Sequence, residues 1–251
     1  MIGQEPPARS YKIFGPEYEK VVIISTELKG AVFYLVAGHG GPDPGAQGKY
    51  GNYTLSEDEY AYDVTLRLAR LLIEQGADVY MITRDNNDGI RDESILKSDK
   101  DERCYPNKAI PLNQIARLSQ RSKAVNSLYH QNSSNYQRVI IIHLDSRSKG
   151  ENIDVFFYHH KKSKSGKRLA QTIQNTFKEK YVQHQPNRGY RGTVSERSNL
   201  YIIRNTLPPA VFIELGNIGN PRDQRRFVLK ENREALAKWI SEAIVKDYQG
   251  R

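Results

Sequence analysis

Four ionisable residues of this 251-residue chain stand where hydrolytic chemistry is readily assembled. His39 sits in the glycine-rich run Ala37-Gly38-His39-Gly40-Gly41-Pro42-Asp43-Pro44-Gly45, just after the apolar segment Ala31–Val36. Glu57 opens a helical stretch. His143 lies near the end of the apolar run Val139–Leu144, and Glu214 near the end of Ala210–Leu215. Two histidines and a carboxylate are a common hydrolytic zinc set that leaves the fourth position for water. A further carboxylate can then take a proton from that water. Glu214 is suggestive because Pro208-Pro209-Ala210-Val211-Phe212-Ile213 leads an acid straight out of an apolar run. A carboxylate there is costly unless it is paired or working.

Each residue also has a plainer reading. A Gly-His-Gly is ordinarily a turn, and a strand-end histidine is more often a hydrogen-bonded core residue. Glu57 suits a helix N-terminus through the dipole, and Glu214 could anchor a buried ion pair. Taken separately, none of them supports a zinc enzyme.

The surrounding pattern predicts the elements that would position them. Val21–Ser25 and Ala31–Val36 read as strands divided by the Leu28-Lys29-Gly30 turn. Ser56 to Gln75 has helical periodicity, with Tyr60, Val64, Leu68 and Leu71 or Leu72 on one face, Ser56 as N-cap and Gly76 as terminator. Asp78–Thr83, Val139–Leu144, Asp154–Tyr158, Leu200–Arg204 and Ala210–Leu215 read as strands. Pro111–Tyr129, Ser163–Tyr181 and Asn232–Asp247 read as helices. Residues 1–18 are Pro-rich and polar and read as a loose arm. Arg84–Ile110 is polar and too long for an ordinary connection, which suggests a mobile insertion or a functional lid. The alternation predicts an α/β fold, a three-layer sandwich with a mostly parallel central sheet flanked by helices. In such sheets, sites collect at the C-terminal ends of strands.

Composition narrows the field. Hydrophobic residues make up 38% and charged residues 27%, as expected of a globular chain. No apolar run is long enough to span a bilayer. The net charge of +9 suits nucleic acid, an anionic membrane surface or an anionic polymer. The single cysteine, Cys104, excludes an intramolecular disulfide and a thiolate-rich zinc site. The N-terminus shows no signal peptide.

A resemblance joins these pieces. Gly38-His39-Gly40-Gly41-Pro42-Asp43-Pro44-Gly45-Ala46 resembles the zinc-histidine loop of the amidase-3 class of N-acetylmuramoyl-L-alanine amidases. Glu57 begins a run, through Leu68 and Leu71-Leu72, similar in spacing to the family's zinc-glutamate helix. Ile82-Thr83-Arg84-Asp85 resembles its Thr-Arg-Asp segment, and Arg121 through Ala124 to Asn126 its Arg…Ala-Asn helix. Ile141-Ile142-His143-Leu144-Asp145-Ser146 resembles the segment with the second zinc histidine. Pro209-Ala210-Val211-Phe212-Ile213-Glu214-Leu215-Gly216-Asn217-Ile218-Gly219-Asn220 resembles the stretch bearing the catalytic acid. The motifs occur in the family's order across roughly residues 31–247. Three departures stand out. Val36-Ala37 replaces the usual Asp-Pro, Asn217 stands where Phe is common, and the stretch after His143 is too short for the inhibitory helix of some relatives.

The resemblance implies one catalytic zinc held by His39, Glu57 and His143, with Glu214 as general base. The bond cut would be the amide between N-acetylmuramic acid and L-alanine in peptidoglycan. Residues 1–30 would be an N-terminal arm and leading strand, and residues 31–251 the catalytic domain, with an insertion at about 86–110. Asn217, Arg204, Lys161 and Lys162 are candidate substrate contacts, the lysines because Lys161-Lys162-Ser163-Lys164-Ser165-Gly166-Lys167-Arg168 is the densest basic cluster. The insertion could be a lid, a specificity loop, a docking site for a protein activator or an inert surface loop. Asp85, Asp88, Asp92 and Glu93 offer oxygen ligands for a second cation, in an order that matches no EF-hand. A periplasmic or extracellular monomer is expected, serving wall remodelling, daughter-cell separation or lysis. The rivals are a zinc peptidase acting within the stem peptide and a non-catalytic wall-binding module. A nucleic-acid binder is also weighed, but no RRM, KH or zinc-finger pattern accompanies the charge, so no nucleic-acid partner is expected.

Overall fold

The computed structural model describes residues 8–145 and 151–251. Met1–Pro7 and Ser146, both used in the sequence reading, lie outside them. In chain order, β1 (Ala8–Ser10) pairs antiparallel with β2 (Lys20–Val22), with a 3-10 turn over Lys12–Phe14 between them. β3 (Ala31–Ala37) is followed by the hairpin of β4 (Gln47–Tyr50) and β5 (Tyr53–Ser56), then by α1 (Glu57–Glu74) and β6 (Asp78–Met81). Short strands β7 (Thr83–Arg84), β8 (Arg103–Cys104) and β9 (Lys108–Ala109) make a small antiparallel sheet. Then come α2 (Gln114–Gln131), β10 (Tyr136–Asp145), β11 (Phe156–His159), α3 (Lys164–His184) and β12 (Val194–Glu196). The chain closes with α4 (Tyr201–Asn205), β13 (Ala210–Asn217), α5 (Pro221–Val228) and α6 (Lys230–Gln249).

The main sheet has six strands in the order β12-β11-β13-β10-β3-β6. Its neighbours are parallel except at the β11–β13 junction, which is antiparallel. Alternation along β10 explains the layering. Ile140 and Ile142 join one core, while Val139 and Ile141 join another on the opposite face. The first core takes the apolar sides of α1, α3 and α6, among them Leu68, Phe177 and Ile240. The second takes Val125 and Leu128 of α2 with Ile202 and Ile203 of α4. Strands covered on both faces read as unbroken apolar runs, which is why β3 and β10 are conspicuous in the sequence. The three-layer α/β sandwich is therefore the fold. Among the described residues, no helix is long and apolar enough to cross a membrane.

Three local readings change. Leu200–Arg204 is not a strand: its apolar core is the single-turn helix α4, which turns both Ile202 and Ile203 toward α2 and β13. A short apolar run cannot by itself separate the two states. Residues 8–18 are not a loose arm, because β1 pairs with β2 and Phe14 is buried in the same core as α1 and α6. Nor is Arg84–Ile110 a free loop. Leu96, Glu102 and Cys104 are buried, and the fully buried Arg233 of α6 donates hydrogen bonds to the carbonyls of Arg91 (2.7 Å) and Glu93 (3.0 Å). Arg233 also pairs with Asp63 of α1 at 2.6 Å, so the insertion is bolted to two helices of the body.

Candidate active site

β3 and β10 run side by side, and Ile142 lies opposite Ala37. The Gly38 amide continues that ladder by donating to the Ile142 carbonyl at 2.8 Å. The next residue, His39, is thereby set beside the next residue of β10, His143, with ring centroids 4.9 Å apart. Two glycines make the approach possible. A Cβ on Gly38 would stand 2.4 Å from the His143 ring, and one on Gly45 would stand 2.7 Å from both Glu57 Oε2 and the His39 ring. His39 itself takes a left-handed backbone, φ 60°, that few non-glycine residues adopt.

Glu57 enters from the first turn of α1 and is buried. Its Oε1 lies 2.8 Å from His143 Nδ1 and its Oε2 3.2 Å from His39 Nε2. The same oxygens accept the Leu144 amide at 2.9 Å and the Ala46 amide at 2.8 Å, so the carboxylate bridges the two strand ends. Burial opposes its ionisation, but hydrogen bonds from His143 and His39 outweigh that and hold its carboxyl well below the usual range. Burial likewise pulls His39 down, yet its contacts with Asp43 and Glu57 prevail and push it up to about 9. For His143 burial prevails, and its pKa is lowered.

One ligand atom from each of His39, Glu57 and His143 lies within 4.8 Å of the others. Two imidazole nitrogens and one carboxylate oxygen suit zinc, and the two glycines leave room for those side chains to converge. The sequence-predicted ligands are thus brought together. Glu214 lies directly opposite His143 in the β10–β13 register and is half-buried. It shares a face of β13 with Phe212, whose ring stacks on His143 at 4.4 Å.

Sequence reasoning quoted Asp43 and Arg121 within motifs without giving them a role, and passed over Arg117. Asp43 Oδ2 lies 2.9 Å from His39 Nδ1, which turns Nε2 toward Glu57. Arg117 of α2 pairs with that same Asp43 oxygen, and Arg121 donates to the His39 carbonyl. Spacing carries a signal only for the arginines, since Arg117 and Arg121 stand four apart on one face of α2.

The expected substrate contacts fare differently. Asn217 is 1% exposed, and its side chain is engaged by the Gly219 amide at 2.9 Å and the Glu151 carbonyl at 3.0 Å. That makes it a brace within the loop rather than a groove contact. Lys161 and Lys162 are exposed but follow the far end of β11. That strand is antiparallel to β13, starting opposite Glu214 and ending with His159 opposite Val211, so it carries the basic cluster away from His143. Arg204 lies on α4, between the corresponding end of β12 and the start of β13, with its guanidinium 5.9 Å from the Tyr201 ring.

A model of the amidase-3 family, described as N-acetylmuramoyl-L-alanine amidase, matches residues 34–246. The chain belongs to that family. It is therefore a cell-wall amidase. The amidase is 26% identical over 227 residues to the germination-specific N-acetylmuramoyl-L-alanine amidase of Bacillus subtilis, covering 88% of this chain and 81% of that protein. It is also 26% identical over 217 residues to the probable cell wall amidase LytH of Staphylococcus aureus, covering 86% of this chain but 58% of that protein. In structure it is similar to the CwlD amidase of Clostridioides difficile solved in complex with the GerS lipoprotein. The TM-score is 0.64 at 24% identity, over 88% of this chain and 100% of that one. At that identity the likeness speaks for the fold alone.

Proposed function

We propose that this amidase hydrolyses the amide between N-acetylmuramic acid and L-alanine with one zinc ion held by His39, Glu57 and His143, and with Glu214 as the base. The observation that carries the reading is the meeting of those three donors at the ends of β3, α1 and β10, with Glu214 opposite His143 on the adjoining strand. Zinc, when bound there, would supply Lewis acidity that polarises a carbonyl and lowers the pKa of water toward neutrality.

The chain's own residues do the rest. Glu214 takes the proton of the attacking water and passes it to the nitrogen of L-alanine as the C–N bond breaks. The products are a lactyl carboxylate on the glycan and a stem peptide with a free amine. Asp43, steadied by Arg117, holds the His39 tautomer that leaves Nε2 as the ligand atom, and Arg121 pins the His39 backbone. Phe212 backs the His143 ring.

Such a substrate places the amidase outside the cytoplasm, in the periplasm or beyond it, in wall remodelling, cell separation or lysis. The lipoprotein partner of the CwlD structure motivates a protein activator here as well. The test is to incubate zinc-loaded protein with purified peptidoglycan and identify the products by mass spectrometry, with Glu214→Ala as control. Stem peptides beginning at L-alanine, released only by the unmutated protein, are expected. Cleavage within the stem would make it a peptidase instead.

A further inference from the structure

Beside the three proposed zinc ligands lies a second group of acids that the amidase chemistry leaves unused. Asp58 and Glu59 follow Glu57 in the first turn of α1, while Glu102 comes from the insertion, one residue before β8. Each brings an oxygen within 4.8 Å of the other two, and none is more than 4% exposed. Burial pushes Glu102 up to about 7, against the hydrogen bond it accepts from Gly41.

The partners of these acids do not account for the whole group. Glu59 pairs with Arg91 at 2.8 Å and accepts the Asp99 amide at 3.0 Å. Glu102 Oε2 accepts the Gly41 amide at 2.6 Å. Asp58 Oδ1 accepts the Glu59 amide at 3.0 Å. Asp58 Oδ2, by contrast, is sealed from solvent and takes no hydrogen bond. A buried carboxylate oxygen in that state costs free energy unless something else meets it. Ionised, these three carboxylates face a single guanidinium among the described ion pairs, that of Arg91, which also serves Asp88. The two negative charges left over are those one divalent cation cancels.

We propose that Asp58, Glu59 and Glu102 form a second metal site, distinct from His39–Glu57–His143, for a hard divalent cation of the calcium class. An all-oxygen donor set favours calcium, magnesium or manganese, and the absence of imidazole from this trio disfavours zinc. Of the four acids the sequence suggested, Asp92 is engaged by Arg67, Lys230 and Tyr18 and Asp88 by Arg91, while Asp85 meets Asp99 and Asp101 in a separate and more exposed group. The site also gives the insertion a purpose. Glu102 holds the Gly41 amide two residues from His39, so a cation that fixes Glu102 steadies the zinc loop from the insertion side.

The test uses the full chain and does not rest on the zinc assignment. Zinc-loaded protein is dialysed against millimolar calcium chloride, with magnesium and manganese chlorides as parallel arms, and its metals are counted by mass spectrometry. About one hard cation per chain beyond zinc is expected, together with a higher thermal midpoint. Asp58→Asn and Glu102→Gln should abolish that cation and its thermal shift while zinc stays bound. His39→Ala with His143→Ala should lose zinc and keep the calcium-dependent shift. If the unmutated protein retains none of the three cations, or if both acid variants retain calcium equally, the site does not exist.

Discussion

Glu57 and Asp58 are neighbours in the first turn of one helix, both almost wholly buried, yet their surroundings drive their carboxyls in opposite directions. Glu57 meets two imidazoles and two backbone amides and is held below the usual range. Asp58 points among acids and is pushed up to about 8. Burial is common to both, so the difference lies in the partners. A helix turn rotates successive side chains by about 100°, which is enough to deliver adjacent residues to different sites. One turn thus serves a mixed nitrogen–oxygen donor set on one side and an all-oxygen set on the other.

The contrast can be broken most sharply at the zinc set. His39→Ala or His143→Ala should lose both zinc and turnover. Glu214→Ala should keep zinc and lose turnover by about 10²–10⁴-fold, the usual reach of a general base. Metal content and product release measured on the same samples separate these outcomes, and an active Glu214→Ala would show that the base is misassigned.

The next effect is smaller. Asp43→Asn or Arg117→Ala leaves the three zinc donors in place but frees the His39 ring, and zinc affinity should fall roughly 10–100-fold. A competitive chelator titration reads this directly, and unchanged affinity would mean that the Asp43 contact is incidental.

The acid side predicts a pH dependence in metal-free protein. Asp58 keeps its proton in the folded state up to about 8, whereas the unfolded chain loses it near its ordinary value of 3.8. Across that window the folded state binds more protons, so this group makes stability fall as pH rises. Glu57 has the opposite sign, contributing stability above its ordinary value that is lost as pH drops. Between about pH 4 and 8, melting curves should therefore show a shallower decline with rising pH for Asp58→Asn than for the unmutated protein, and equal slopes would contradict the crowding of acids.

The smallest effect concerns the basic cluster. Because β11 is antiparallel to β13, Lys161→Ala with Lys162→Ala should leave turnover on soluble wall fragments within about twofold. A large fall in kcat/KM would restore these lysines to the substrate path.

The positions of the four candidate site residues were legible because their signals are local, although their roles were implied only by the ordered resemblance to the family. A histidine among glycines after an apolar run, an acid at a helix start, and a histidine and an acid ending buried strands all declare themselves within a few residues. The helices around them were legible for the same reason, through periodicity and caps. What failed was short or depended on distant context. The Leu200–Arg204 segment is too brief for periodicity to decide, and Asn217 is buried by contacts from Glu151 and Gly219 that no local pattern announces.

By itself, the sequence determined the α/β layering and the placing of His39, Glu57, His143 and Glu214 where apolar runs or helices begin or end, while the roles proposed for them came from the family resemblance. Tertiary structure alone decided the direction of β11, which turns the lysine cluster from a substrate contact into a remote patch. It alone brought Glu102 from the insertion to Asp58 and Glu59. The physical reason is the same in both cases. Strand direction and the docking of a long connection are settled by packing against surfaces that are far away in the chain, and those surfaces leave no mark on the residues between.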